Sequence, residues 1–126
     1  RKTCNHRKDV IKYFTREVLE WQLRVAGVNH CLSFEQVSDE LIETLDIPNG
    51  DFDSVGLCKY SVPTYLSIGR VYQMLILSVA ADDIIQTTID VFSSFISDEI
   101  SNFNSSVYYS NPDYIRCSYL EGKLCA

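Results

Sequence analysis

The run Gly69 to Ala81, GRVYQMLILSVAA, constrains the fold more than any other stretch of the chain. It is apolar on nearly every face when wound as a helix, yet too short for a bilayer, which takes about 20 apolar residues. A helix that is hydrophobic all round belongs inside a protein. The remaining sequence must then supply helices to wrap it. Apolar residues do recur at three- and four-residue steps along almost the whole chain, and strand-like alternation is scarce. The expectation is an all-α fold, a helical bundle packed around a buried central apolar helix. The 126 residues fit a single domain, 1–126, since roughly 100–200 residues is usual for one fold.

Local signals divide the chain. Thr15 suits a helix cap with Glu17 in the first turn. Val18, Leu19, Leu23, Ala26 and His30 then form one stripe, and Phe34, Val37, Leu41 and Leu45 a second that runs to Pro48. Pro48-Asn49-Gly50-Asp51 reads as a turn, and Pro63 as a residue near a helix start. Asp82-Asp83 marks another turn, either residue being suited to start the next helix. Ile85, Ile89, Phe92, Phe95 or Ile96, Ile100 and Phe103 predict one long amphipathic helix. Asn111-Pro112-Asp113 breaks that pattern, and Tyr114 to Leu120 adds a short final helix.

Charge and thiols narrow the function classes. A net charge of −6, from 11 basic against 17 acidic residues, argues against nucleic acid as a partner. The basic cluster Arg1–Lys12 reads as a solvated start. Five cysteines (Cys4, Cys31, Cys58, Cys117 and Cys125) are an odd number with no Cys-x-x-Cys pair, so neither a disulfide framework nor a zinc knuckle is signalled. Cys4 with His6, and His30 beside Cys31, could be argued into a metal site, but adjacent helical residues point apart, which favours scattered thiols. No metal and no cofactor are expected, and scattered thiols suit the reduced interior of a cell. No nucleophile elbow, paired-carboxylate site or glycine-rich phosphate loop is visible, so no enzyme is expected. Asp82-Asp83 and Asp98-Glu99 read as helix-end charges. The sequon Asn104-Ser105-Ser106 occurs without a visible signal peptide.

Gly27 is the position that carries most functional information. Glycine inside a helix costs about 1 kcal/mol relative to alanine. Either one helix ends there before another starts at Ser33, or a second helix backbone passes too close for a side chain. Leu23 to Gly27 spells Leu-Arg-x-x-Gly, with small Ala26 beside the glycine. That string resembles the third homology motif of the Bcl-2 family, Leu-Arg-x-x-Gly-Asp. The resemblance continues through Leu32, Phe34, Leu41, Leu45 and Ile47, and Leu45-Asp46-Ile47 looks like the turn closing the third helix in several members. Ser67-Ile68-Gly69-Arg70 is similar to the first homology motif, Asn-Trp-Gly-Arg, which opens the family's central helix, and Phe95 to Phe103 resembles the helix leading into the second motif. Leu19 to Phe103 is covered in all. Departures are Val28 in place of the aspartate, loss of the asparagine and tryptophan before Gly69-Arg70, a shorter central hairpin and no Gly-Gly-Trp near Asn111. Only 14 residues precede Thr15, which implies a truncated first helix. A register with Asp9–Leu23 as the first helix and the second starting near Ser33 would make the Gly27 match accidental.

What the resemblance implies is recognition of an amphipathic helix in an apolar groove. Arg70 would receive the ligand's aspartate, and Gly69 would let the ligand helix approach the backbone. His30, Phe34, Val37 and Leu41 would wall one side of the groove; Leu57, Tyr60, Leu66, Val71 and Leu77 would face them. Each apolar position could equally be plain core. Val28 removes the carboxylate that a death-promoting donor helix needs, while Arg70 keeps the receptor's half of the pair. The expected function is therefore apoptosis inhibition, in the style of virus-encoded family members. The partners would be pro-apoptotic Bcl-2 proteins, bound through their death-motif (Bcl-2 homology-3) helices. A short first helix would leave apolar surface open, so a homodimer is expected. The location implied is the host cytoplasm or the mitochondrial outer membrane. Two rival readings are a Bcl-2-like fold repurposed to block host immune signalling and a secreted helical cytokine.

Overall fold

Local capping chemistry explains where five of the helices begin in the computed structural model, which describes residues 3–25, 33–58, 61–80, 82–101 and 105–125, residue 34 by its backbone alone. Seven helices, and no strand, occur among the described residues: α1 (Arg7–Val10), α2 (Arg16–Arg24), α3 (Phe34–Thr44), α4 (Tyr65–Val79), α5 (Ile84–Ser93), α6 (Ile96–Ile100) and α7 (Pro112–Glu121). Short 3-10 turns follow α1 (Ile11–Tyr13) and precede α7 (Ser106–Tyr108). Thr15 accepts from the Val18 N–H at the start of α2, Thr64 from Ser67 at α4, Asp83 from Gln86 at α5 and Asn111 from Tyr114 at α7. Ser33 and Gln36 form a reciprocal capping box at α3. The Asn111-Pro112 string that breaks the preceding pattern is itself a start signal, with Pro112 the first helical residue.

The core lies in the second half of the chain. Ile68, Val71, Tyr72, Leu75 and Ile76 of α4 pack with Val91 of α5, Ile96 and Ile100 of α6, Val107, and Ile115 of α7. Helix α4 rests on α5 and α7, and α5 on α6. Two sequence expectations need correction. Helix α4 is buried along one face only: Leu66 and Leu77 on the other face are 55% and 59% exposed. The long helix from Ile85 is broken at Ser94, whose backbone turns extended, so that α6 starts a new direction. Ser97 secures that corner, donating to the Phe92 carbonyl at 2.7 Å while accepting from the Tyr72 hydroxyl at 2.7 Å.

The basic start is not merely solvated. His6 Nδ1 lies 2.6 Å from Asp98 Oδ1, Lys8 Nζ 3.4 Å from Asp98 Oδ2, and Arg7 donates to Ser101 Oγ at 2.8 Å. The Arg7 guanidinium also sits 5.9 Å from the centre of the Tyr72 ring, close enough for a cation–π contact. The preceding arm clasps the turn after α3: Gly50 and Phe52 donate to the Thr3 and Cys4 carbonyls at 2.7 and 2.8 Å. A side chain on Gly50 would fall 2.5 Å from the Cys4 carbonyl oxygen, so only glycine fits there.

Candidate functional site

The first half of the chain is draped on this core rather than sunk in it. Helix α2 buries no side chain completely, and Leu23, expected on its inward stripe, is 60% exposed. What α2 does instead is form one wall of a cleft. Val18, Trp21 and Val25 face Val37 and Leu41 of α3 and Leu45 just after it across a volume of about 350 Å³. Helix α3 ends where Leu45-Asp46-Ile47 was expected to end it: Asp46 turns left-handed (φ 53°), the Ile47 N–H returns to the Ile42 carbonyl, and Ile47 is buried. A second cleft of about 200 Å³ lies on the other side of α3, where Leu41, Ile42 and Ile47 meet Arg7, Phe14 and Tyr65.

Of the residues expected to wall the groove, Val37 and Leu41 therefore line clefts. Val71 does not: it is 9% exposed and belongs to the core, which corrects its assignment as a pocket residue. Leu66, Gly69, Arg70 and Leu77 are all exposed and fall on one face of α4, at steps of three, four and seven. Leu57 is exposed in the segment between α3 and α4. Neither cleft that contains Leu41 includes Leu57, Leu66, Gly69, Arg70 or Leu77. His30, Tyr60 and the Phe34 side chain lie outside the described residues, as do Gly27 and its neighbours Ala26 and Val28.

The α4 face has a defined chemistry. Arg70 makes no ion pair among the described residues, in contrast to Arg16, which lies 2.8 Å from Asp83, and Lys8 and Lys12, which pair with Asp98 and Asp9. That Arg16 contact, with the Gln86 N–H, holds the Asp83 carboxyl below its ordinary range. At Gly69 a methyl group would meet nothing within 4 Å. The fold therefore makes no use of the missing side chain, although glycine weakens a helix interior.

Trp21 and Tyr65 were not singled out from the sequence, although both line clefts beside expected site residues. Neither were Cys117, Glu121 and Cys125, whose ligand atoms lie within 4.8 Å of one another. Their signal is a helix-end glycine: Gly122 turns left-handed (φ 77°) and reverses the chain so that Cys125 returns to Cys117. Contact with Cys125 first, then desolvation and the negative field of Cys125 and Glu121, push the Cys117 thiol up to about 11.

An all-helical architecture is thus established for the described residues, with partly open clefts lined by apolar and polar side chains alike, and none of their helices is long and apolar enough to cross a membrane. Comparison with known protein families, with curated proteins and with solved structures returns no match.

Proposed function

We propose that this protein binds amphipathic helices, and specifically that it inhibits apoptosis by sequestering the death-motif helices of pro-apoptotic Bcl-2 proteins. The observation that carries the reading is the outer face of α4, where the exposed Arg70, with no ion pair among the described residues, sits between Leu66 and Leu77 next to Gly69. An apolar stripe with one guanidinium complements a helix that presents apolar anchors at three- and four-residue steps and one carboxylate. The resemblance of Ser67–Arg70 to the first Bcl-2 homology motif supports the same face. Val28, standing where a donor helix would need aspartate, supports a receptor rather than an executioner.

Calorimetric titration of the chain with a panel of death-motif peptides tests this. Binding of at least one peptide is expected, with a loss of at least about tenfold in Arg70→Ala because the ligand carboxylate is left desolvated without a partner. No binding by any peptide rejects the proposal. One observation favours a second reading, a Bcl-2-like fold repurposed to block host immune signalling: no cleft containing Leu41 includes Arg70. That reading requires silence across the whole peptide panel.

A further inference from the structure

At the far end of the molecule, the last turn of α7 gathers three soft or anionic donors that the helix-binding reading does not use. Cys117 and Glu121 are four residues apart on one helix face, and Cys125 is brought back by the left-handed Gly122. The return is anchored: the Cys125 N–H donates to the hydroxyl of the fully buried Ser118 at 3.1 Å. The two sulfurs lie 3.0 Å apart; Glu121 Oε1 is 3.9 Å from Cys117 Sγ and Oε2 is 3.6 Å from Cys125 Sγ. We propose that Cys117, Glu121 and Cys125 form a binding site for one thiophilic divalent cation of the zinc type.

Tetrahedral zinc, with bonds of about 2.3 Å to sulfur and 2.0–2.2 Å to carboxylate oxygen, holds its ligand atoms about 3.6–3.8 Å apart. Each sulfur lies near that spacing from one Glu121 oxygen, Cys117 from Oε1 and Cys125 from Oε2, so a turn of the carboxylate and a separation of the sulfurs by less than about 1 Å would complete the set. A disulfide, at about 2.05 Å, would need them to close by a similar amount. Glu121 favours the cation: one carboxylate oxygen accepts from each thiol, which places a third donor beside the sulfurs that a disulfide does not need. No basic side chain pairs with Glu121 among the described residues, and the nearby Arg116 is turned toward the Ser78 carbonyl. The carbonyl end of a ten-residue helix adds further negative potential. Binding converts both thiols to thiolates and releases two protons, leaving the fourth position open to water or a donor from another molecule.

Cobalt titration of the full reduced chain tests the site. One cobalt per chain is expected, with thiolate-to-metal charge-transfer absorption, displaced by zinc. Cys117→Ser and Cys125→Ser should each abolish the charge-transfer band, and Glu121→Gln should weaken binding at least about tenfold, with helicity unchanged. Cys4→Ser and Cys58→Ser should leave the spectrum as it is. A band that survives in the Cys117→Ser/Cys125→Ser chain, or no band in the reduced wild type, overturns the proposal. So does loss of two hydrogens to a Cys117–Cys125 disulfide in a glutathione buffer containing zinc.

Discussion

Gly69 separates stability from binding more cleanly than any other residue. It sits inside α4 with open space where its side chain would be, so Gly69→Ala should stabilise the fold by about 0.5–1 kcal/mol. The same methyl would stand between α4 and a docked helix, so peptide affinity should fall. Urea unfolding and peptide titration on one preparation check both signs, and a variant that gains stability without losing affinity places the ligand elsewhere. The buried corner at Tyr72 supplies a second residue-scale test. Ser97→Ala strips the Tyr72 hydroxyl of its acceptor and should cost about 1–3 kcal/mol, whereas Tyr72→Phe removes the needy group itself and should cost less. Burial, the leading cause, raises the Tyr72 pKa above its ordinary value despite Arg7 and Ser97. Folding therefore favours the neutral phenol. Its contribution is complete below the ordinary tyrosine range and is lost as pH rises through the higher folded pKa. The stability difference between wild type and Tyr72→Phe should accordingly shrink or reverse at strongly alkaline pH.

Among the elements, what could be read from the sequence is what depends on neighbours a few residues away. Thr15 and the Asp82-Asp83 pair were recognisable as helix starts, and Ser33 as one of two alternatives, because capping needs only a side-chain oxygen and an N–H three residues on. The break between α5 and α6 was not recognisable, since Phe92, Ile96 and Ile100 continue the helical spacing across it; only the Tyr72–Ser97–Phe92 hydrogen bonds, made across the core, show why the chain turns. The docking of His6 and Lys8 on Asp98 joins residues some 90 positions apart, beyond the reach of any periodicity. Of the nine expected groove-wall residues, only Val37 and Leu41 among those described line the clefts beside α3, and no described residue of the facing wall joins them there. Val71 lies in the core: an apolar residue at the right spacing cannot declare which side of its helix meets the core. Asp83 joins the local and the distant kinds of contact, being both the cap of α5 and the partner of Arg16 on α2. Asp83→Asn should preserve the start of α5 and release α2, and Asp83→Ala should lose both. The gap between wild type and Asp83→Asn should narrow in high salt, as an exposed ion pair requires, and a salt-independent gap in denaturant melts would deny the ion pair a role.

For the molecule as a whole, the uneven distribution of core argues for a second copy. The buried apolar cluster is built from α4 to α7, while α2, nine residues long, buries no side chain fully. Isolated helices shorter than about 12–15 residues are marginal in water, so α2 depends on whatever covers it. Helix α5 contacts it on one side, and the first helical segment adds only the four residues of α1 and a 3-10 turn. Trp21, 59% exposed at the rim of the α2–α3 cleft, is the largest apolar side chain left open there. We propose that a second chain closes this cleft, giving a homodimer that leaves the α4 face with Arg70 free for its ligand. Trp21 is the sole tryptophan, so its fluorescence reports on the contact directly. Emission should shift to the blue as concentration rises, in step with a doubling of mass by sedimentation at micromolar concentration. Trp21→Ala should remain monomeric with peptide binding intact, because the two surfaces lie on different helices. A wild-type chain that stays monomeric while Trp21 remains water-exposed excludes the dimer without touching the case for Arg70, whereas a dimer whose formation blocks peptide would mean that the two faces are one.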